Sequence, residues 1–171
     1  QDAGVVVQVG LHRRIGPHHV EAMRLLKTGI AGKVGMVRCF AHGKGGPELP
    51  KPNSKPPESM DWEMWCGPAP LRPFNTKLHP GGWRNFLDYA NGQLGAWGIH
   101  WLDKILWWTD EQYPKKVSST GGRYIKRDNT DAPDCQVATF EFENFIAQWE
   151  HRQFAANEAE KHADIKVIDY R

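Results

Sequence analysis

The chain has 171 residues, of which 40% are hydrophobic and 25% are charged. The length suits one compact domain, and the composition is typical of a soluble globular protein rather than a disordered one. A formal net charge of +2 with scattered basic residues argues against nucleic-acid binding, and no apolar run approaches the roughly 20 residues of a membrane helix.

The first element is the apolar run GVVVQVG at residues 4–10. A run of this kind predicts a buried parallel strand, which needs neighbouring strands on both sides. The few preceding residues cannot supply them. We therefore expect the chain to be an excerpt of a longer protein, and an upstream export signal stays an open alternative.

A helix and a strand follow. Gly16-Pro17 predicts the start of a helix, because proline is favoured in the first turn, and Gly29 predicts its end. The alternating, partly β-branched segment KVGMVRCFAHG predicts a strand from about Val34 to Ala41. Residues 44–60 contain five prolines and three lysines, so they predict an extended surface loop.

The second half of the chain predicts helices first and strands afterwards. DWEMWCGPAPLRPFN predicts a short helix and a turn, and residues 83–108 predict mostly helix with a break at residues 90–92. Glu143-Asn144 predicts a two-residue hairpin. This order is typical of an α+β domain with an open, mainly antiparallel sheet and helices on one face. The three predicted strands cover residues 116–125, 135–142 and 145–152, and the polar tail at 157–171 stays ambiguous.

The stretch GQLGAWGIHWLD places one ionisable ring, His100, among tryptophans and aliphatic residues. Gly92, Gly95 and Gly98 leave the start of the predicted helix without bulk, so a ligand or another backbone could approach closely. An imidazole there can exchange a proton with a hydroxyl group. Alternatively it is a core side chain satisfied by Asp103 or a carbonyl, and the pattern alone favours that interpretation.

Several segments together resemble the Gfo/Idh/MocA oxidoreductases. WRNFLDYANGQLGAWGIHWLD is similar to the family signature, in which a Trp-Arg pair precedes a glycine cluster and a G-x-L-x-D-x-G-x-H-x-x-D run. VVVQVGLHRR resembles the last strand of the nucleotide-binding domain. HVEAMRLLKTGIAGKVGMVRCF and DAPDCQVATFEFENFIAQWEHRQF resemble parts of the second domain. The resemblance covers roughly residues 4–160 and implies a nucleotide-binding remnant at 1–14 and a substrate-binding and oligomerisation domain at 15–171, truncated at its C-terminus.

The resemblance also implies an activity. Members have a Rossmann domain that binds NAD or NADP, and a second domain whose open sheet carries the substrate and often the oligomer interface. The substrates are sugars, inositols or related polyols and ketones. By resemblance, His100 is the catalytic acid/base, while Trp83 and Arg84 face the cofactor. An indole wall and a guanidinium donor suit that position. A homo-oligomer through the open sheet face is also implied.

Two departures from the family pattern leave alternatives open. The aspartate four residues before the histidine is Ala96 here, so a carboxylate that could orient the ring is missing. The G-x-G-x-x-G loop and the lysine of the E-K-P motif are absent from the chain, so it is not expected to hold a dinucleotide tightly by itself. The alternatives are a catalytically impaired relative and a non-enzymatic carbohydrate-binding or oligomerisation module.

Four further residues are candidates for substrate binding. Arg13 follows the valine-rich segment, where ligand crevices of α/β proteins open, and it predicts an anion contact or a solvated turn. His79 and Tyr89 predict either a lining of the Trp83–Arg84 pocket or core packing. Asp103 predicts a substrate contact or a tie that holds its helix.

Other patterns carry less weight. His18 and His19 are adjacent, so their rings diverge by about 100° on a helix, and no metal site is predicted. Eight tryptophans allow sugar stacking, but Trp97, Trp101 and Trp108 have helical spacing and favour core positions. A hydrolase site on Glu141, Glu150 and Asp134 is a weak hypothesis, because the two glutamates look like exposed strand residues. Three cysteines without C-x-x-C spacing predict neither zinc nor disulfides, which favours a cytoplasmic location.

Overall fold

A four-stranded mixed sheet is the centre of the chain in its computed structural model, which describes residues 3–154. The edge strand β1 (Met36–Gly45) runs parallel to β4 (Ile146–Phe154), and the other two pairings are antiparallel. The predicted α+β class is confirmed, and all four strands lie within a few residues of their predicted bounds. In spatial order they are β1 (Met36–Gly45), β4 (Ile146–Phe154), β3 (Cys135–Glu141) and β2 (Lys116–Gly122).

Three α-helices and several short helical turns accompany the sheet. The first, α1 (Pro17–Leu26), has Gly16 as its N-cap and begins at the proline, as the sequence predicts. The short helix α2 (Trp62–Cys66) is capped by Asp61, whose side chain accepts a hydrogen bond of 2.9 Å from the backbone N–H of Met64. The helices are α1 (Pro17–Leu26), α2 (Trp62–Cys66) and α3 (Ile99–Thr109); 3-10 turns cover His12–Arg14 and Gly82–Asn85, and a π-helical turn covers Leu94–Gly98.

Alternation along the strands produces one covered face and one open face. In β4, Ala147, Trp149 and His151 are buried, and the residues between them point to the other side. Ile105 of α3 is buried in the same cluster as Trp149, so α3 covers this face. At the predicted hairpin, the N–H of Phe142 donates to the carbonyl of Phe145 across Glu143-Asn144. The hairpin is therefore confirmed.

A second, smaller core supports the loops that lead to α3. It consists of aromatic and aliphatic side chains, and Trp83 and Tyr89 pack against its edge. Burying these side chains fixes the connection between α2 and the π-helical turn, a segment with little regular secondary structure. The buried members are Trp62, Cys66, Phe74, Leu78 and Phe86.

The π-helical turn brings α3 close to the sheet. A Cβ added to Gly98 would lie 2.8 Å from Cδ1 of Leu94 and 3.4 Å from the ring of Trp149, so a larger residue would push against a fully buried side chain. The space predicted at this glycine is therefore occupied by Trp149 of the sheet rather than left for a ligand.

The predicted N-terminal strand is wrong within the described residues. The run at 4–10 has no strand structure, and Val6 is 97% exposed. A buried strand needs neighbours for its backbone N–H and C=O groups, and residues 3–154 place none beside it. The polar tail at 157–171 lies outside the described residues. No helix within residues 3–154 has both the length and the apolar character needed to cross a bilayer.

Candidate functional site

His100 lies in the first turn of α3, where the π-helical turn joins it. The ring is partly buried and meets the ring of His12 edge-on, with 4.6 Å between the centroids. Nδ1 of His100 is buried and has no hydrogen-bond partner within the described residues. Burial, with the charges of His12 and Arg13, lowers the pKa of His100 below its ordinary value of 6.5. The ring is therefore neutral at pH 7.

Asp103 does not satisfy the histidine. Its two carboxylate oxygens accept hydrogen bonds from Nε and Nη2 of Arg14 at 2.8–3.0 Å, and the residue is only 9% exposed. This bidentate pair ties the 3-10 turn at residues 12–14 to α3. The geometry favours the helix-tying alternative for Asp103, and it rules out the alternative in which Asp103 satisfies His100.

Arg13 and Lys104 both contact the indole of Trp101. Cζ of Arg13 and Nζ of Lys104 each lie 4.4 Å from the centroid of that ring. Burial and the charge of Arg13 lower the pKa of Lys104 to about 8, and burial also lowers the pKa of Arg13. The structure therefore places the predicted substrate contact, Arg13, in the same cluster as His100.

Trp83 and Arg84 form a separate wall on the 3-10 turn at residues 82–85. The guanidinium of Arg84 lies over the Trp83 ring, 4.5 Å from Cζ to the centroid, and donates to the carbonyl of Gly81 at 3.2 Å. An open cavity of about 210 Å³ separates this pair from the π-helical turn. Ala96 faces this cavity, so the position where the family carries an aspartate lies beside the predicted cofactor wall. The cavity is lined by Trp83, Arg84, Ala90, Asn91, Gly95 and Ala96.

His79 and Tyr89 belong to the second core instead. The ring of His79 meets Trp65 edge-on with 5.3 Å between centroids, and the hydroxyl of Tyr89 donates to the carbonyl of Pro70 at 3.0 Å. Burial and the hydrogen bond to the Cys66 thiol raise the pKa of Tyr89 to about 12. Neither side chain lines the cavity beside Trp83, so the geometry favours the packing alternative for both.

A larger groove was not predicted from the sequence. It has a volume of about 500 Å³ and lies where β1 and β4 end beside the π-helical turn. Trp97 lines it and is 47% exposed, so the core assignment of this residue is wrong. A π-helical turn contains an additional residue, which rotates Trp97 away from the apolar face of α3. The lining residues are Phe40, Ala41, His42, Gly43, Gly45, Gln93, Trp97, Trp101, Lys126, His151, Arg152 and Gln153.

The remaining candidates from the sequence, which are the adjacent histidines, the carboxylates of the sheet and the cysteines, do not form a site within the described residues. The rings of His18 and His19 are tilted by 50° with 3.9 Å between their centroids, and residues 3–154 contain no group of three His, Cys, Asp or Glu side chains arranged as metal ligands. Asp134 is fully buried and Glu150 pairs with Arg38, which leaves no open carboxylate pair at that position. Cys39, Cys66 and Cys135 are free thiols.

Comparison with known proteins gives a family and a set of similar folds. The model of the oxidoreductase family C-terminal alpha/beta domain, Gfo/Idh/MocA type, matches residues 24–123, more than half of the chain. No curated protein sequence matches.

Three solved structures illustrate the similarity in fold. GenD2 from gentamicin A biosynthesis, in complex with NAD, is 19% identical with a TM-score of 0.59, over 91% of this chain and 36% of that one. The WlbA dehydrogenase from Bordetella pertussis, in complex with NADH and UDP-GlcNAcA, is 15% identical with a TM-score of 0.57, over 90% and 38%. An oxidoreductase from Bacillus cereus is 12% identical with a TM-score of 0.53, over 91% and 40%. The chain thus spans less than half the length of each of these structures.

Proposed function

The chain belongs to the Gfo/Idh/MocA family of oxidoreductases, and from this premise we propose that its full-length protein transfers hydride between NAD or NADP and a carbinol carbon. The substrate class in this proposal is a sugar, an inositol or a related polyol or ketone. Two proteins of similar fold support it: the GenD2 structure contains NAD, and the WlbA structure contains NADH and UDP-GlcNAcA.

His100 is the acid/base in this proposal, and the state of its ring is the observation that carries it. A buried imidazole nitrogen without a partner costs free energy, so a position that keeps one suits a ligand that supplies the missing bond. A neutral ring can accept the proton of a substrate hydroxyl while the nicotinamide accepts the hydride, and it returns the proton in the reverse direction.

The cofactor contact in this proposal is the Trp83–Arg84 wall. The indole offers a flat apolar surface and the guanidinium a donor for oxygen atoms, beside an open cavity. These residues fit one end of a nicotinamide cofactor. The phosphate-binding loop would come from the nucleotide-binding domain, of which residues 1–14 are a remnant in this proposal, with residues 15–171 as the substrate and oligomerisation domain.

Oligomerisation through the open sheet face is a further part of the proposal. Met36 and Ile146 pair across β1 and β4 and are 55% and 41% exposed, so this face presents apolar side chains to solvent. Arg38 and Glu150 form an ion pair on the same face. Light scattering of the full-length protein tests oligomerisation. A monomeric mass would contradict the proposed oligomer and leave the proposed activity untouched.

The second candidate function is a catalytically impaired relative, favoured by Ala96. Its side chain faces the cavity beside Arg84 and provides no carboxylate for His100. Measured turnover of the full-length protein decides between an active and an impaired enzyme.

The test of the proposed function is turnover of His100 variants in the full-length protein. We expect nicotinamide-linked oxidation of a member of a sugar and polyol panel, and a loss of roughly 10²- to 10⁴-fold in kcat for His100→Ala and His100→Gln. Since the neutral ring is the base, kcat/KM for oxidation should fall only at a pH below the ordinary imidazole pKa of 6.5. His100→Gln should abolish this decrease in kcat/KM at acidic pH.

The control is His18→Gln, which changes an exposed histidine on α1 and should leave turnover unchanged. Unchanged turnover in both His100 variants would show that another group moves the proton. The absence of turnover with every substrate in the panel would favour the impaired relative.

A further inference from the structure

Positive charge gathers around Trp101, next to the proposed acid/base. Arg13 and Lys104 both contact the indole ring, and the rings of His12 and His100 meet one turn away. His100 and Lys104 are four residues apart on α3, so their side chains emerge on the same face with roughly 5–6 Å between Cβ atoms.

Arg13 and Lys104 have no acidic partner within the described residues. Among residues 3–154, neither Arg13 nor Lys104 forms a hydrogen bond or an ion pair, and Nε of Arg13 is buried without a partner. The neighbouring carboxylate of Asp103 is already held by Arg14. Burial first, and then the charges of Lys104, His18, Arg13 and His12, lower the pKa of His19 to about 4.

Partly buried cations without an acidic partner are unfavourable, because they lose hydration and repel each other. The indole of Trp101 compensates only in part, since it supplies a quadrupole and no net negative charge. Perturbed charges gathered beside a catalytic candidate are typical of a binding site. An anion that contacts these cations would supply both the missing charge and the missing acceptor.

We propose that Arg13 and Lys104 bind a carboxylate of the substrate, and that the substrate is therefore a sugar acid whose reacting carbinol lies at His100. This inference rests on the proposed function, because it takes His100 as the reacting position. The planar fork of a guanidinium matches the two oxygens of a carboxylate, and the ammonium adds a point charge.

The location favours a substrate carboxylate over a phosphate of the cofactor. The cluster adjoins His100, where proton transfer takes place, while the phosphates of a dinucleotide lie away from its nicotinamide end. The proposed cofactor wall at Trp83 and Arg84 lines a cavity that contains none of the residues of the cation cluster.

Calorimetry on the full-length protein tests this assignment with matched acid and neutral ligands. The pairs are D-glucuronate with D-glucose and UDP-glucuronate with UDP-glucose, since the members of each pair differ only at the carboxylate. We expect the acid of at least one pair to bind more tightly. Arg13→Gln and Lys104→Gln should each weaken binding of that acid by roughly 10- to 100-fold and leave its neutral counterpart unchanged.

Two variants separate charge from folding. Lys104→Arg should retain most of the affinity because it keeps the charge, and Arg24→Gln, which removes an exposed cation paired with Glu21, should have no effect. Melting temperatures within a few degrees of the unchanged protein should accompany all four variants.

Equal affinity for acid and neutral ligands in every pair would overturn the proposal. The proposal would also be overturned if the Arg13 and Lys104 variants bound NAD or NADP more weakly but bound the acid with unchanged affinity, because the cations would then belong to the cofactor site. If neutral polyols turn over with dependence on His100 and no acid is preferred, the proposed function stands without the carboxylate site. Tight acid binding without nicotinamide-linked turnover would support the carboxylate site and contradict the proposed function.

Discussion

Two regions of this domain differ in how far the hydrogen-bonding capacity of their buried polar groups is satisfied. In the loop between β2 and β3, Asp134 is fully buried and accepts hydrogen bonds from the backbone N–H groups of Tyr124, Ile125 and Lys126 at 2.7–3.0 Å. At the start of α3 and on the 3-10 turn at residues 12–14, Nδ1 of His100 and Nε of Arg13 are buried without hydrogen-bond partners in the described residues. The first arrangement is complete within the described residues, and the second is not.

A difference of this kind is expected between a polar group that only holds the fold and one that binds a ligand. A saturated group such as Asp134 fixes backbone geometry and gains nothing from a ligand. An unsaturated one weakens the domain slightly and keeps its bonding capacity available, as expected of a binding site. Variants in the two regions should therefore affect different properties of the protein.

The largest effect is expected from Asp134→Ala. The change leaves three backbone N–H groups without their side-chain acceptor and empties a fully buried position, so the free energy of unfolding should fall by roughly 3–5 kcal/mol. Denaturant unfolding of the full-length protein, followed by tryptophan fluorescence, measures the loss. Asp88→Ala is the control, because it removes an exposed carboxylate paired with Arg72 and should cost less than about 1 kcal/mol. Equal losses in the two variants would contradict the comparison.

A smaller loss of stability is expected when the carboxylate of Asp128 is protonated at low pH. Burial disfavours its charge, but hydrogen bonds from Thr130 and Arg123 outweigh burial and lower the pKa to about 2, below the ordinary 3.8. A lowered pKa stabilises the fold above about pH 4, and the contribution is lost as the pH falls through about 2. At about 1.4 kcal/mol per pKa unit, the loss is about 2 kcal/mol.

The measurement for Asp128 is the difference in unfolding free energy between pH 5 and pH 2. Asp128→Asn should show a shallower dependence on pH over this interval, because the group that titrates is gone. A variant with the same slope as the unchanged protein would mean that other carboxylates account for the acid sensitivity.

Local signals in the sequence predicted most of the sheet and of α1. Pro17 and the Glu143-Asn144 hairpin act through their own backbone geometry, so they could be recognised without tertiary information. The strand predicted for the valine-rich run at residues 4–10 was wrong, because a strand depends on neighbouring strands and a local sequence pattern does not reveal them. Trp97 was placed wrongly because the π-helical turn changes the helical phase and leaves no clear signal in the sequence.

The site was predictable only in part. The resemblance led to His100, Trp83 and Arg84, since these belong to a contiguous motif. The contact of His12 with His100 and the pairing of Arg14 with Asp103 join segments nearly ninety residues apart, as the separation of 89 for the second pair shows. Contacts of this kind follow from packing, so neither spacing nor composition could indicate them.

The smallest effect is expected from supplying a carboxylate to the unsaturated region. Ala96→Asp adds a negative charge four residues before His100, which should raise the pKa of the imidazole by less than about one unit. Arg84 lines the same cavity as Ala96 and will share this carboxylate, which keeps the change small. Titration of the His100 ring proton by NMR measures the shift, and turnover should rise by less than about tenfold, as the added basicity allows. Ala96→Asn has nearly the same volume without the charge. If Ala96→Asn shifts the pKa and the turnover as much as Ala96→Asp does, the negative charge is not the cause of the effect.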